Sequence, residues 1–134
     1  MTTEPVKTVR VIDSAAGCPE IPIVEGRGNA KVLMWPGNDA LFRTFQIISL
    51  EGGDRTIPLS HNSDAVYYVM DGAGSITDVN SGVVWPLIEG AMVHIDAGDA
   101  YRFAAAQDDG FKILGGPCPA DETLYAGLIH SGKV

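Results

Sequence analysis

Turn-forming residues interrupt this chain so often that no segment reads as a long amphipathic helix. Apolar residues alternate or come in short runs, each closed by Gly, Pro, Asn or Asp. That is the signature of strands joined by turns. The breaks recur about every 8–12 residues, the spacing of an all-β sandwich or barrel. Strands are expected over residues 9–12, 30–35, 41–50, 65–70, 75–79, 83–87, 91–95, 101–106 and 111–114. Asp71-Gly72-Ala73-Gly74 and Asn80-Ser81-Gly82 read as turns, the second a hairpin turn of the favoured kind. Asp108-Asp109 reads as another hairpin turn. Residues 1–28 and 117–134 are less regular and are expected to be arms that wrap the barrel or a partner subunit, with one short helix over 121–128.

A chain of 134 residues points to a single domain. Such a chain buries roughly two thirds of the surface it exposes when unfolded. Nine basic residues against seventeen acidic ones leave a formal charge of -8. That balance repels phosphate backbones and anionic lipids, so no nucleic-acid or membrane partner is expected. A local Arg can still hold a small anion. No apolar run approaches the ~20 residues of a membrane span, and MTTEPVKTVRVID lacks the apolar core of a secretory signal. A cytoplasmic location is therefore expected. Cys18 and Cys118 stand far apart and form no CxxC pattern, so they read as plain loop or core thiols.

Two stretches carry more. Residues 53–72, GDRTIPLSHNSDAVYYVMDG, place Gly53, position 59, His61, Ala65 and Gly72 at the spacing of a metal-binding barrel strand. Residues 90–103, GAMVHIDAGDAYRF, have Gly90, the turn Asp96-Ala97-Gly98 and then Tyr101 in the outline of its partner strand. On these two motifs the chain resembles a small member of the cupin superfamily, with degenerate metal-binding motifs, over about residues 40–116. The resemblance implies an all-β fold, a double-stranded β-helix or jelly-roll barrel with irregular terminal arms. It also implies a ligand set, two histidines and a glutamate from the first motif and one histidine from the second. Here those positions hold Leu59, His61, Ala65 and Tyr101. Transition-metal sites want about three or four converging N/O ligands, so no metal cofactor is expected. If a divalent transition metal binds, His61 would hold it.

Strand alternation places side chains. With His61 pointing inward, Ala65, Tyr67 and Val69 share its face, while Asp64, Tyr68 and Met70 point out. Tyr101 enters from the second motif, and Leu59, Val69, Ile95 and Phe103 supply apolar walls. One imidazole and two phenols in such a pocket can move a proton beside a carbonyl and stabilise the oxyanion that forms. His61, Tyr101 and Tyr67 are the catalytic candidates. Leu59, Val69, Phe103, Arg43 and Arg55 are the substrate-binding ones, the two arginines as clamps for a carboxylate or phosphate. His94 alternates to the opposite side of its strand, and His130 in the tail reads as solvated.

No GxSxG or Cys/His nucleophile, no phosphate-cradling Gly-rich loop and no basic aromatic stripe is present. The expected function is that of a metal-independent small-molecule enzyme of the lyase (dehydratase), isomerase, epimerase or cyclase type, working as a homodimer. Two alternatives stand beside it. One is a metalloenzyme, a dioxygenase or metal-assisted lyase, with ligands such as His61, Tyr101 and Asp64 or His94. The other is a non-catalytic module that binds a metabolite.

Overall fold

The computed structural model describes residues 9–130, with side chains as far as residue 128. Nine strands follow in chain order: β1 (Val24–Glu25), β2 (Asn29–Met34), β3 (Phe45–Leu50), β4 (Arg55–Thr56), β5 (Asp64–Asp78), β6 (Val84–Ile88), β7 (Met92–Ile95), β8 (Tyr101–Ala105) and β9 (Phe111–Cys118). A 3-10 turn over Glu122–Tyr125 runs into a short helix, α1 (Ala126–His130).

All the strand pairs are antiparallel, and they form two sheets that share β5. The first half of β5 lies between β7 and β9, and β9 continues through β3 to β2. The second half lies between β6 and β8, and β8 continues through β4 to β1. The result is a nearly closed jelly-roll barrel. Along the first half of β5, Ala65, Tyr67 and Val69 are buried while Asp64, Val66, Tyr68 and Met70 are exposed, the period-two pattern of a strand with one wet face.

The sequence pattern and the structure differ at several places, among them the unexpected short strands β1 and β4. Residues 71–74 do not turn; β5 runs through them, and the register slips between Val69 and Asp71. Gly72, at φ 82°, supplies the left-handed kink that carries the strand from one sheet into the other. Residues 9–12 form no strand. The strand expected over 41–50 starts only at Phe45, and β9 extends to Cys118, past the expected end at 114. Of the N-terminal arm, residues 1–8 lie outside the described residues.

Aromatic rings fill the space between the sheets. Phe103 packs edge-on against Tyr67 (4.8 Å between centroids) and Tyr101 (5.6 Å), and lies 6.3 Å from Phe111. Each such pair adds about 0.5–1.5 kcal/mol beyond the area it buries. A polar clip closes one end of the barrel. The Asp54 carboxylate accepts the N–H groups of Arg27 (3.0 Å), Gly28 (2.8 Å) and Glu51 (2.9 Å), tying the β1–β2 loop to the β3–β4 loop. Burial alone would raise the Asp54 pKa, but these amide donors outweigh it and hold the carboxyl below its usual range.

Candidate functional site

His61 sits in the segment leading into β5. Leu59 and Tyr101 exchange two backbone hydrogen bonds of 2.8 Å, and Gly98 N–H donates to the His61 carbonyl at 2.7 Å. These bonds hold residues 59–61 against the entry to β8, so Leu59, His61 and Tyr101 turn to the same inner side. His61 is 5% exposed, Tyr101 2% and Tyr67 1%, so the contacts between them are screened little by water.

The three side chains form one hydrogen-bonded line, and a fourth group extends it. The Tyr67 and Tyr101 hydroxyls lie 2.6 Å apart, Tyr101 Oη is 2.6 Å from His61 Nε2, and His61 Nδ1 is 2.6 Å from Asp121 Oδ2. Burial pushes both phenols well above their ordinary pKa. They remain protonated at neutral pH, and each has one proton to donate. With a neutral imidazole one arrangement serves all four groups: Tyr67 donates to Tyr101, Tyr101 to Nε2, and Nδ1–H to the Asp121 carboxylate. The tautomer is assigned from this network.

Asp121 follows β9 in the C-terminal segment. Ser63 Oγ donates to the Pro119 carbonyl at 2.7 Å, which pins that segment beside the His61 loop. Asp121 caps the 3-10 turn, its Oδ1 accepting from Thr123 N–H at 3.0 Å. A carboxylate has about four acceptor positions, so two are left for other partners. The sequence pattern predicts a short helix over 121–128 and gives Asp121 no role; the structure forms the 3-10 turn over Glu122–Tyr125 and then α1. The capping pattern Asp121-Glu122-Thr123 signals where the turn starts. Nothing in the sequence pairs that carboxylate with a histidine sixty positions earlier.

Beside this line lies a cavity of about 720 Å³. Ile21, Ile23, Ile57, Leu59, Leu124 and Leu128 form apolar walls. Ser60, His61, Asp121 and Thr123 form a polar corner. A smaller hollow of about 330 Å³ meets the same corner from the other side, along Asn62, Ser63 and Glu122.

The expected site residues are distributed unevenly around this space. His61 and Leu59 line the cavity. Tyr101 and Tyr67 stand behind His61 in the barrel interior and reach the cavity only through it. Val69 and Phe103 are fully buried in the core and line neither hollow, because the aromatic packing occupies the volume a pocket there would need. The two arginines are elsewhere. Arg43 is exposed, ahead of β3, with its guanidinium 5.5 Å from the Phe42 ring. Arg55 lies on β4, paired at 2.8 Å with Glu25 of β1. In both cases the neighbours are the buried residues: Thr44 beside Arg43, and Asp54 and Thr56 beside Arg55.

The metal-ligand positions implied by the cupin resemblance do not fit a metal. Leu59 and Ala65 offer only hydrocarbon, and both His61 nitrogens are engaged, by Asp121 and Tyr101. The Tyr101 phenol is held protonated by burial, which makes it a poor ligand. Nor do Asp64 and His94 complete a set with His61, since both face outward. On the outer face they meet Asp96 instead. One donor atom from each of the three lies within 4.8 Å of the others, and His94 stands 3.5 Å from either carboxylate. His130 was expected to be solvated; its side chain lies outside those described.

No family model and no curated protein matches the sequence. Solved structures do match the fold. A cupin-like protein from Thermotoga maritima is 20% identical at a TM-score of 0.69, over 81% of this chain and 83% of that one. A predicted oxalate decarboxylase from the same organism is 19% identical at 0.69, over 83% and 100%. The polyketide cyclase RemF from Streptomyces resistomycificus is 15% identical at 0.69, over 83% and 80%. The chain thus has the cupin jelly-roll fold.

Proposed function

We propose that the chain is a small-molecule enzyme whose His61–Asp121 pair moves a proton at the wall of the cavity, in a lyase, isomerase, epimerase or cyclase reaction. The observation that carries this reading is the line Tyr67–Tyr101–His61–Asp121, buried at one end and opening onto a cavity at the other. The matched folds include a polyketide cyclase and a predicted oxalate decarboxylase, which supports a small-molecule role at this coarse level. No metal is needed in this reading.

The chemistry follows from the free acceptor positions. Asp121 accepts one N–H from the backbone and one from His61, and the residue lines both hollows. A substrate C–H next to a carbonyl gives its proton to this carboxylate, and the electron pair moves into an enolate. Returning the proton to another carbon isomerises the substrate. Giving it to a departing hydroxide releases water. His61 donates to the carboxylate throughout, and Tyr101 and Tyr67 set its tautomer; these phenols are positioning residues. General acid–base catalysis of this kind is worth about 10²–10⁴-fold.

The test is solvent-deuterium exchange into 2-tetralone, an apolar ketone with acidic α-protons, followed by proton NMR. The wild-type protein should accelerate exchange over buffer, and Asp121→Asn and His61→Ala should each lose about 100-fold or more of that acceleration, read in the folded fraction because losing the imidazole leaves the buried Tyr101 hydroxyl without its acceptor. Equal exchange in wild type and Asp121→Asn would refute the assignment. A homodimer is also proposed, supported by the exposed apolar residues Val66, Tyr68, Met70 and Met92 on one outer face.

A further inference from the structure

We infer that the cavity selects uncharged, largely apolar molecules that carry a hydroxyl or carbonyl, and rejects carboxylates and phosphates. This rests on the same cavity as the reading above, but not on its chemistry. Of the described residues lining the larger hollow, two are acidic, Glu20 and Asp121, and none is Lys or Arg. The smaller hollow has Asp121 and Glu122, again with no basic partner among its described lining. Arg43 and Arg55, the arginines expected to hold an anion, lie outside both.

An anion entering this space would leave water, meet aliphatic walls and approach a carboxylate that is itself only partly exposed. Burying an uncompensated charge is costly, and like charges in a poorly solvated site repel strongly. The chain's formal charge of -8 adds a long-range term of the same sign. A neutral molecule faces neither penalty. Its ring or chain covers Ile21, Ile57, Leu59 and Leu128, while a hydroxyl donates to Asp121 or a carbonyl accepts from the Thr123 hydroxyl. Polar side chains are the minority of the lining, which suits a single polar group on an otherwise apolar body.

Two probes of the same shape separate the possibilities: 2-naphthol and 2-naphthoate, titrated into the full chain at neutral pH by calorimetry and by ligand-observed NMR. The wild-type protein should bind 2-naphthol at least about tenfold more tightly than 2-naphthoate, the expected scale of a like-charge penalty. Asp121→Asn, which keeps the shape and the turn-capping oxygen, should narrow that gap mainly by improving 2-naphthoate binding. Leu128→Trp, which enlarges a side chain lining the hollow, should abolish 2-naphthol binding; Ile57→Trp serves if that variant fails to fold. Binding is measured with no exchange substrate present, so its result stands whether or not the pair catalyses exchange. Equal or tighter binding of 2-naphthoate, undetectable 2-naphthol binding at millimolar concentration, or 2-naphthol binding that survives both Trp substitutions overturns the inference.

Discussion

At the scale of single residues, the site depends on neutral phenols standing behind a histidine. Tyr101 Oη is the only hydrogen-bond partner at His61 Nε2 among the described contacts. Removing it strands a buried ring nitrogen, which costs about 1–3 kcal/mol. Tyr101→Phe should therefore lower stability by that amount and also change the tautomer signature of His61 in ¹⁵N NMR, with Nδ1–H no longer the single protonated form. An unchanged His61 spectrum would show that the phenol only packs. The burial and inward parity of residues 65, 67 and 69 could be read from alternation, because one strand register relates them; His61, before the strand, is buried on the same side. Asp121 could not. Its partner lies sixty positions earlier in the chain, and a single sequence holds no record of that contact.

At the scale of elements, β5 organises the molecule because it belongs to both sheets. Its passage between them needs a residue that tolerates a left-handed backbone with no side chain. At Gly72 a Cβ would overlap the Gly110 carbonyl oxygen. Gly72→Ala should destabilise the fold by at least about 1–2 kcal/mol, read as a fall in the midpoint of urea unfolding with activity retained in the folded fraction. An unchanged midpoint would mean that the kink is not required. The Asp71–Gly74 stretch looks like a turn because turn residues and bulge residues are the same residues. The pairings of Asp71 with Lys112, Gly72 with Phe111 and Ala73 with Ile88 show that the strand continues. The Asn80-Ser81-Gly82 hairpin, by contrast, is a local event, and there the composition and the structure agree.

At the scale of the whole molecule, the outer surface of the β7–β5–β9–β3 sheet is unusually apolar. Tyr68 stands beside Met92 on one neighbour and Leu114 on the other, and Leu114 stands beside Ile47. Met92 is 65% exposed, too much for an apolar side chain with neighbours of the same kind to be incidental. A second copy laid on this face would cover it. Light scattering should give the dimer mass, and Tyr68→Glu with Met92→Glu should return the monomer. A monomer mass for the wild type would remove the dimer from the account. Among the described residues no helix is long and apolar enough to cross a membrane. Fold class was legible at this scale because turn spacing and strand alternation are summed over many residues. The position of the cavity was not. It lies where both terminal segments close over the barrel mouth, at Ile21 and Ile23 on one side and Leu124 and Leu128 on the other, and such closure leaves no periodic trace.

The claim that His61 and Asp121 act as one unit is tested most directly by a double-mutant cycle on 2-tetralone exchange. His61→Ala, Asp121→Asn and the combined variant are compared with the wild type. If the pair is the acid–base unit, the double variant should be about as slow as either single one, since residues that act together lose their effect together. Losses that multiply would mean two independent contributions, and would contradict the account.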